Sequence, residues 1–255
     1  CELMNPVIRA RLERFGGGVF FETLEYAFSA LPGIMAEFPS GREFARRPLA
    51  VIGAAVARAP YILDSIMRPP VFLITGAHGS GKSVMVGELA KLLRSADMEP
   101  GGICAEGLWK AGIREGFDLI DLRSGGRVPL CRREPGGGVR VGEFRFFEEG
   151  VAAGLSALSA GVLSGADAVF VDEIGFWELD GGGWREPLKE LLNGGTPLVL
   201  VVRDYLAERV VTCFGLERAI IWKAGERSAA EVLPELLRAI MASKRTGLRQ
   251  GPARL

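Results

Sequence analysis

Val71-Phe72-Leu73-Ile74-Thr75-Gly76-Ala77-His78-Gly79-Ser80-Gly81-Lys82-Ser83 decides how the rest of this chain is read. An apolar run, Val71 to Ile74, leads into a segment that fills every fixed position of the G-x-x-x-x-G-K-S pattern. Strand, glycine-rich loop and helix in that order are what a bound oligophosphate requires. Glycines at 76, 79 and 81 let the backbone curl so that successive N–H groups point inward at phosphate oxygens, with no Cβ in the way. The helix expected from Lys82 adds the positive end of its dipole. The Lys82 ammonium can then reach the β- and γ-phosphates, and the Ser83 hydroxyl is placed to ligate Mg²⁺. Val84, Val86, Leu89, Leu92 and Leu93 continue with helical spacing, which a chance match inside a loop would not supply. Gly76, Ala77, His78, Gly79, Ser80, Gly81, Lys82, Ser83 and Val84 are the expected nucleotide-binding segment. His78 fills a variable position of the loop and is expected to turn outward.

Phosphate binding is half of a reaction centre; the other half needs a metal-organising acid and a group to position water. Ala168-Val169-Phe170-Val171-Asp172-Glu173 offers both. Its apolar residues predict a strand buried on both faces, with Asp172 at the C-terminal end, where an open parallel sheet presents its ligands. Asp172 is expected to hold Mg²⁺ with Ser83, and Glu173 to accept a proton from attacking water. For an arginine that neutralises charge on the transferring phosphoryl group, Arg203 is the first choice, because it follows the apolar run 197–202; Arg123, Arg132, Arg133 and Arg227 are the alternatives. Trp109, Phe144 and Trp222 are candidates to stack on a base.

Outward from these motifs, strand and helix signals alternate, which predicts a largely parallel sheet covered on both faces. Residues 116–122 and 127–130, joined by Ser124-Gly125-Gly126, predict an antiparallel meander. Helices are expected over 151–163, 186–192 and 233–242, and a further strand over 197–202. Arg68-Pro69-Pro70 marks a boundary. Residues 1–67 form a small, mainly helical extension or accessory domain that is expected to dock on the second region or on a protein partner; residues 68–243 form the main domain, and 244–255 a basic tail. A segment as short as 1–67 would bury only about 60% of its unfolded surface, so alone it would be marginal. Around Glu13-Arg14-Phe15-Gly16-Gly17 it bears a faint likeness to small winged-helix peptide-chaperone domains; a helical extension is the favoured reading.

Composition excludes more than it assigns. The formal net charge is zero and the Lys and Arg residues are scattered, so no footprint for nucleic acid or a membrane surface is present. The apolar stretch 49–67 is broken by Arg58, Pro60 and Asp64 and cannot cross a bilayer as a helix. Cys1, Cys104, Cys131 and Cys213 form no C-x-x-C pair, which fits a reducing cytoplasm better than a zinc site or a disulfide framework. The opening Cys1 is read as the start of a fragment or trimmed chain rather than as a lipid anchor.

Val171-Asp172-Glu173-Ile174-Gly175-Phe176-Trp177-Glu178-Leu179 resembles the acidic signature of the nucleoside-triphosphatase family known from thermophiles and, in animals, as cancer-related nucleoside-triphosphatase. The loop at 76–83, Gly102-Ile103-Cys104-Ala105-Glu106, Gly116-Phe117-Asp118 and Val141-Gly142-Glu143-Phe144 follow the family's order, so the likeness covers about residues 70–240. Gly181-Gly182-Gly183-Trp184 resembles a bacterial branch. The resemblance implies a three-layer, RecA-like P-loop α/β fold, Mg²⁺ dependence, and slow hydrolysis of several nucleoside triphosphates, ATP and GTP included. Lys82, Ser83, Asp172 and Glu173 match its motif, and Glu106 an acidic position after the second strand. Departures fall at Ala105, at Trp109-Lys110 and at Glu226-Arg227, where the family often has Thr, an Arg and an Asn-Arg pair; they bear on base selectivity and charge stabilisation. Two further readings stand beside hydrolysis, since a P-loop fold hosts several reactions: a small-molecule or nucleotide kinase, and a nucleotide-gated protein-binding module.

Overall fold

The structure is a computed structural model that describes residues 70–133 and 138–245. The chain divides between Met67 and Arg68, and every element below belongs to the second unit. The expected N-terminal extension, its chaperone-like segment and all but the start of the basic tail lie outside the described residues.

The apolar run becomes strand β1 (Val71–Gly76), and the loop after it feeds helix α1 (Lys82–Ser95). A long antiparallel series follows: β2 (Pro100–Lys110), β3 (Ile113–Asp121), β4 (Arg127–Arg132), β5 (Val139–Val141) and β6 (Phe144–Phe146). Then come α2 (Glu148–Ala157), α3 (Ala160–Leu163), β7 (Ala168–Ile174), α4 (Phe176–Leu179) and α5 (Arg185–Leu192). The last described elements are β8 (Leu198–Arg203), a 3-10 turn (Asp204–Leu206), α6 (Ala207–Phe214), β9 (Ile220–Lys223) and α7 (Ala229–Arg245). The single helix expected over 151–163 is therefore two, parted at Leu158 and Ser159. The last helix starts four residues before the expected 233.

All nine described strands join one sheet in the order β5-β6-β4-β3-β2-β7-β8-β1-β9. From β2 through β9 the pairs are parallel; from β2 outward through β5 they are antiparallel. Strand alternation assigns the two faces. Leu73, Val169, Val171, Leu198, Leu200 and Val202 go to one core with α2, α3, α5 and α6, while Phe72, Ile74, Phe170, Val199 and Val201 go to the other with α1 and α7. Met85, Val86, Leu89, Ala90 and Leu93 form the buried stripe of α1, each of its larger side chains contributing about 1.5–3 kcal/mol. Helix, sheet and helix make the three layers expected from the sequence.

Candidate functional site

Register brings the motif residues together. Gly76, last in β1, pairs with Arg203, last in β8, and β7 lies on the other side of β8 with Asp172 and Glu173 near its C-terminal end. The β7–β8 register shifts between Val171 and Ile174, where the Asp172–Glu173 peptide is cis. Three strand ends thus converge on one rim of the sheet, beside β1, where the chain's connections diverge in opposite directions and open sheets bind ligands.

Gly79 and Gly81 have φ of 77° and 89°, in a region L side chains rarely adopt, and Gly81 turns the chain into α1. Ala77, His78 and Gly79 are exposed, Ser80 and Ser83 partly buried, and Val84 projects outward from the first turn of α1. Lys82 is buried and its ammonium donates to the Gly76 and Ala77 carbonyls, each at 2.8 Å. Burial pushes its pKa down, against the opposing pull of Glu173 and Asp172. The Ser80 hydroxyl is buried without a hydrogen-bond partner.

Asp172 is 1% exposed and accepts hydrogen bonds from the Ser83 hydroxyl, from Ala105 N at 3.2 Å and from the Cys104 thiol at 3.5 Å. Burial, followed by the Glu173 charge, raises its pKa to about 6 from 3.8, and those three donors hold it from going further. The thiol of Cys104 is pushed far up by burial and by Asp172, so it is a protonated donor and not a nucleophile. Glu173 is partly exposed and its Oε1 accepts from Arg203 Nε at 2.7 Å; Arg203 also reaches the Tyr205 hydroxyl at 3.3 Å.

The other expected arginines are engaged elsewhere. Arg123 donates to the Val162 and Ser164 carbonyls, Arg132 pairs with Asp118, Arg133 with Glu143 and Arg227 with Glu235. Glu106 pairs with Arg127. Trp222 is a core residue: it is fully buried, stacked on Phe72 at 4.4 Å and bonded to Glu235, so it cannot stack on a base. Trp109 is half exposed, with the His78 ring edge-on at 6.2 Å. Burial, then Arg114, Arg203 and Lys82, lower the pKa of His78.

Arg114 was not among the expected site residues. It lies opposite Trp109 in the β2–β3 pairing, its guanidinium 4.0 Å from the Trp109 ring and 4.8 Å from that of Phe117. Its field acts on His78 and is felt with those of Glu173, Arg203 and Asp172, and its buried Nε has no hydrogen-bond partner. A Cβ at Gly107 would collide with this guanidinium, so glycine there makes the room. Only the cross-strand register of a correctly paired meander points to Arg114.

The two carboxylates, the lysine and the arginine at one rim can bind a polyphosphate, order a divalent cation and move a proton. Among the described residues, no group of three or more His, Cys, Asp or Glu side chains could hold a metal without substrate oxygens, and no helix is long and apolar enough to cross a membrane. The family described as NTPase matches residues 71–221. Nucleoside-triphosphatase THEP1 of Hyperthermus butylicus is 30% identical over 164 residues, 64% of this chain and 86% of that protein. That of Methanothermobacter thermautotrophicus is 35% identical over 135 residues, 51% of this chain and 74% of its own. In fold, the chain is similar to a human cancer-related nucleoside triphosphatase solved in solution, with a TM-score of 0.53 at 22% identity over 68% of this chain and 98% of that one. It is equally similar to the crystal structure of THEP1 from Aquifex aeolicus, with a TM-score of 0.53 at 17% identity over 67% and 98%. Because the match runs from β1 into β9 and so takes in every strand of the rim just described, the chain belongs to the NTPase family.

Proposed function

We propose that the unit from 68 to 243 hydrolyses nucleoside triphosphates, ATP and GTP among them, to the diphosphate and phosphate with Mg²⁺, residues 1–67 being an accessory region. The observation that carries this reading is the Glu173–Arg203 ion pair at 2.7 Å on the rim that also holds Lys82 and Asp172. Ser83 and Asp172 suit Mg²⁺, because a hydroxyl and a buried carboxylate in contact are hard oxygen donors and would hold the ion beside the phosphates. Bound there, the ion would neutralise charge on the β- and γ-oxygens.

The chain's own groups do the rest. The loop N–H groups and Lys82 hold the phosphates. Glu173, oriented through Oε1 by Arg203, takes the proton of an attacking water. Arg203 and Arg114 supply positive charge where it develops negatively. The nucleoside fits a second cavity of about 410 Å³ at the α1 end of the loop, lined by Gly81, Val84, Met85 and Ala224 to Ser228.

The test is phosphate release from ATP, GTP, CTP and UTP with Mg²⁺ and no added acceptor. Glu173→Gln should lower release by roughly 10²-fold or more while nucleotide still binds, and Lys82→Ala should weaken binding itself. A wild-type chain that binds nucleotide and releases no phosphate overturns the reading.

A further inference from the structure

Past Glu173 the rim opens into a cavity of about 340 Å³ that begins at Ser83, Asp172, Glu173 and Arg203 and ends among aromatic rings. Its walls are three ring pairs. Phe117 meets Phe144 at 5.4 Å, Phe146 meets Trp177 at 4.8 Å and Phe176 meets Tyr205 at 6.2 Å between centroids. They come from β3, the β5–β6 hairpin, α4 and the turn after β8, so the chamber is assembled from distant stretches of sequence. Phe176 and Tyr205 remain 46% and 59% exposed. On another wall lies Glu178, 3% exposed, whose Oε2 accepts from Gly175 N at 2.8 Å and Oε1 from Trp184 N at 3.2 Å.

Size and lining identify the kind of occupant. A water molecule takes about 30 Å³, so the chamber has on the order of ten times the room a hydrolytic water needs. Ligand cavities start near ~300 Å³ and pair a mostly apolar, aromatic lining with a few convergent polar groups. Here the polar groups gather at the end where the γ-phosphate would react. The nucleoside has the separate cavity beside Val84 and Ala224, which leaves the ring-lined chamber for a second molecule.

We propose that this chamber binds an aromatic alcohol and that the protein transfers the γ-phosphoryl group to its hydroxyl, with water as the acceptor when no alcohol is bound. The proposal rests on the reading above that the γ-phosphate lies beside Ser83 and Asp172. The alcohol oxygen forms a bond to the γ-phosphorus. The bond from that phosphorus to the β,γ-bridging oxygen breaks, and its electron pair leaves on the nucleoside diphosphate. The hydroxyl proton passes to the Glu173 carboxylate and from there to solvent, so the products are a phosphate monoester and the diphosphate. The rings hold the aromatic body by stacking and edge contacts, and the buried Glu178 carboxylate fixes the Gly175 and Trp184 backbone behind them.

The experiment uses the full chain with ATP and Mg²⁺, titrated with 2-phenylethanol and 2-(2-naphthyl)ethanol and followed by ³¹P NMR. We expect a phosphomonoester resonance that grows with either alcohol until it carries more than half of the transferred phosphate. Phe144→Leu and Phe176→Leu should raise the half-saturating alcohol concentration tenfold or more; leucine keeps an apolar side chain in place, so a loss of folding is not the expected cause, and circular dichroism checks it. Inorganic phosphate as the sole product at every alcohol concentration overturns the proposal and leaves hydrolysis standing. Ester with alcohol but no phosphate released in its absence supports transfer and overturns hydrolysis, and neither product from bound ATP overturns both.

Discussion

Asp172 carries the sharpest conflict between stability and function at the level of single residues. Its folded pKa of about 6 lies above the ordinary 3.8, so between those values the folded chain holds more protons than the unfolded one. Its contribution to stability is full below 3.8 and is lost as pH rises through about 6. Asp172→Asn removes the buried charge, so at pH 8 without metal the variant should be about 1–3 kcal/mol more stable than wild type and show a flatter dependence between pH 4 and 7, measured by urea unfolding. A less stable variant at pH 8 would show that the hydrogen bonds to Asp172 outweigh the burial of its charge. Arg114 makes a second prediction. Arg114→Ala should lower kcat by roughly 10- to 10³-fold with a smaller change in KM, because the charge matters most when the phosphoryl group is in transit, and Arg114→Lys should restore only part. Unchanged kcat would reduce Arg114 to packing against Trp109 and Phe117. Residues 76–83, Asp172 and Glu173 were legible because their signals are local: fixed spacings, and an apolar run that ends in acids. Arg114 was not, since its place depends on which residue of β2 it faces.

Secondary-structure elements show the same division between local and non-local signals. The last helix was expected from 233, yet it starts at Ala229, and the reason stands in the sequence. Ser228 and Glu231 form a capping box: the Glu231 carboxylate accepts from Ser228 N at 2.7 Å, and Glu231 N donates to the Ser228 hydroxyl at 3.4 Å. Pro234, the sixth residue of the helix, has no N–H to donate to the Ala230 carbonyl, so the second turn lacks one hydrogen bond and leans more on the cap. Ser228→Ala should therefore cost about 1 kcal/mol, seen as a lower urea midpoint with an unchanged m-value. No loss would mean that the packing of Val232, Leu236 and Ile240 holds the first turn by itself. The β5–β6 hairpin was legible only as a family landmark at 141–144. Its strands are three residues each, too short for alternation to stand out, and they are strands because β5 pairs with β6 and β6 with β4. The aromatic chamber was equally hidden, because its rings meet only after four elements have packed.

At the level of the whole unit, the site ties the sheet together across its parallel half. The loop follows β1, Arg203 ends β8, Asp172 and Glu173 lie on β7, and Ala105 of β2 donates to Asp172. A nucleotide with Mg²⁺ that touches all of these binds the folded state and has little to hold in the unfolded chain. Linkage then requires stabilisation by RT ln(1 + [L]/Kd), about 2.7 kcal/mol at a hundredfold excess over Kd. For a domain of this size each kcal/mol moves Tm by about 2–4 °C, so a non-hydrolysable ATP analogue with Mg²⁺ should raise Tm by roughly 5–10 °C. The shift should shrink when EDTA removes the metal and vanish in Lys82→Ala, since the ion and the lysine hold the same phosphates from two sides. An equal shift with and without Mg²⁺ would mean that the loop, Lys82 and the nucleoside cavity hold the nucleotide without the ion, and would count against Ser83 and Asp172 as a metal site. The same comparison with nucleoside diphosphate isolates the γ-phosphate: the difference between the two shifts measures how strongly the far end of the rim, where Glu173 and Arg203 pair, grips the group that is to be transferred.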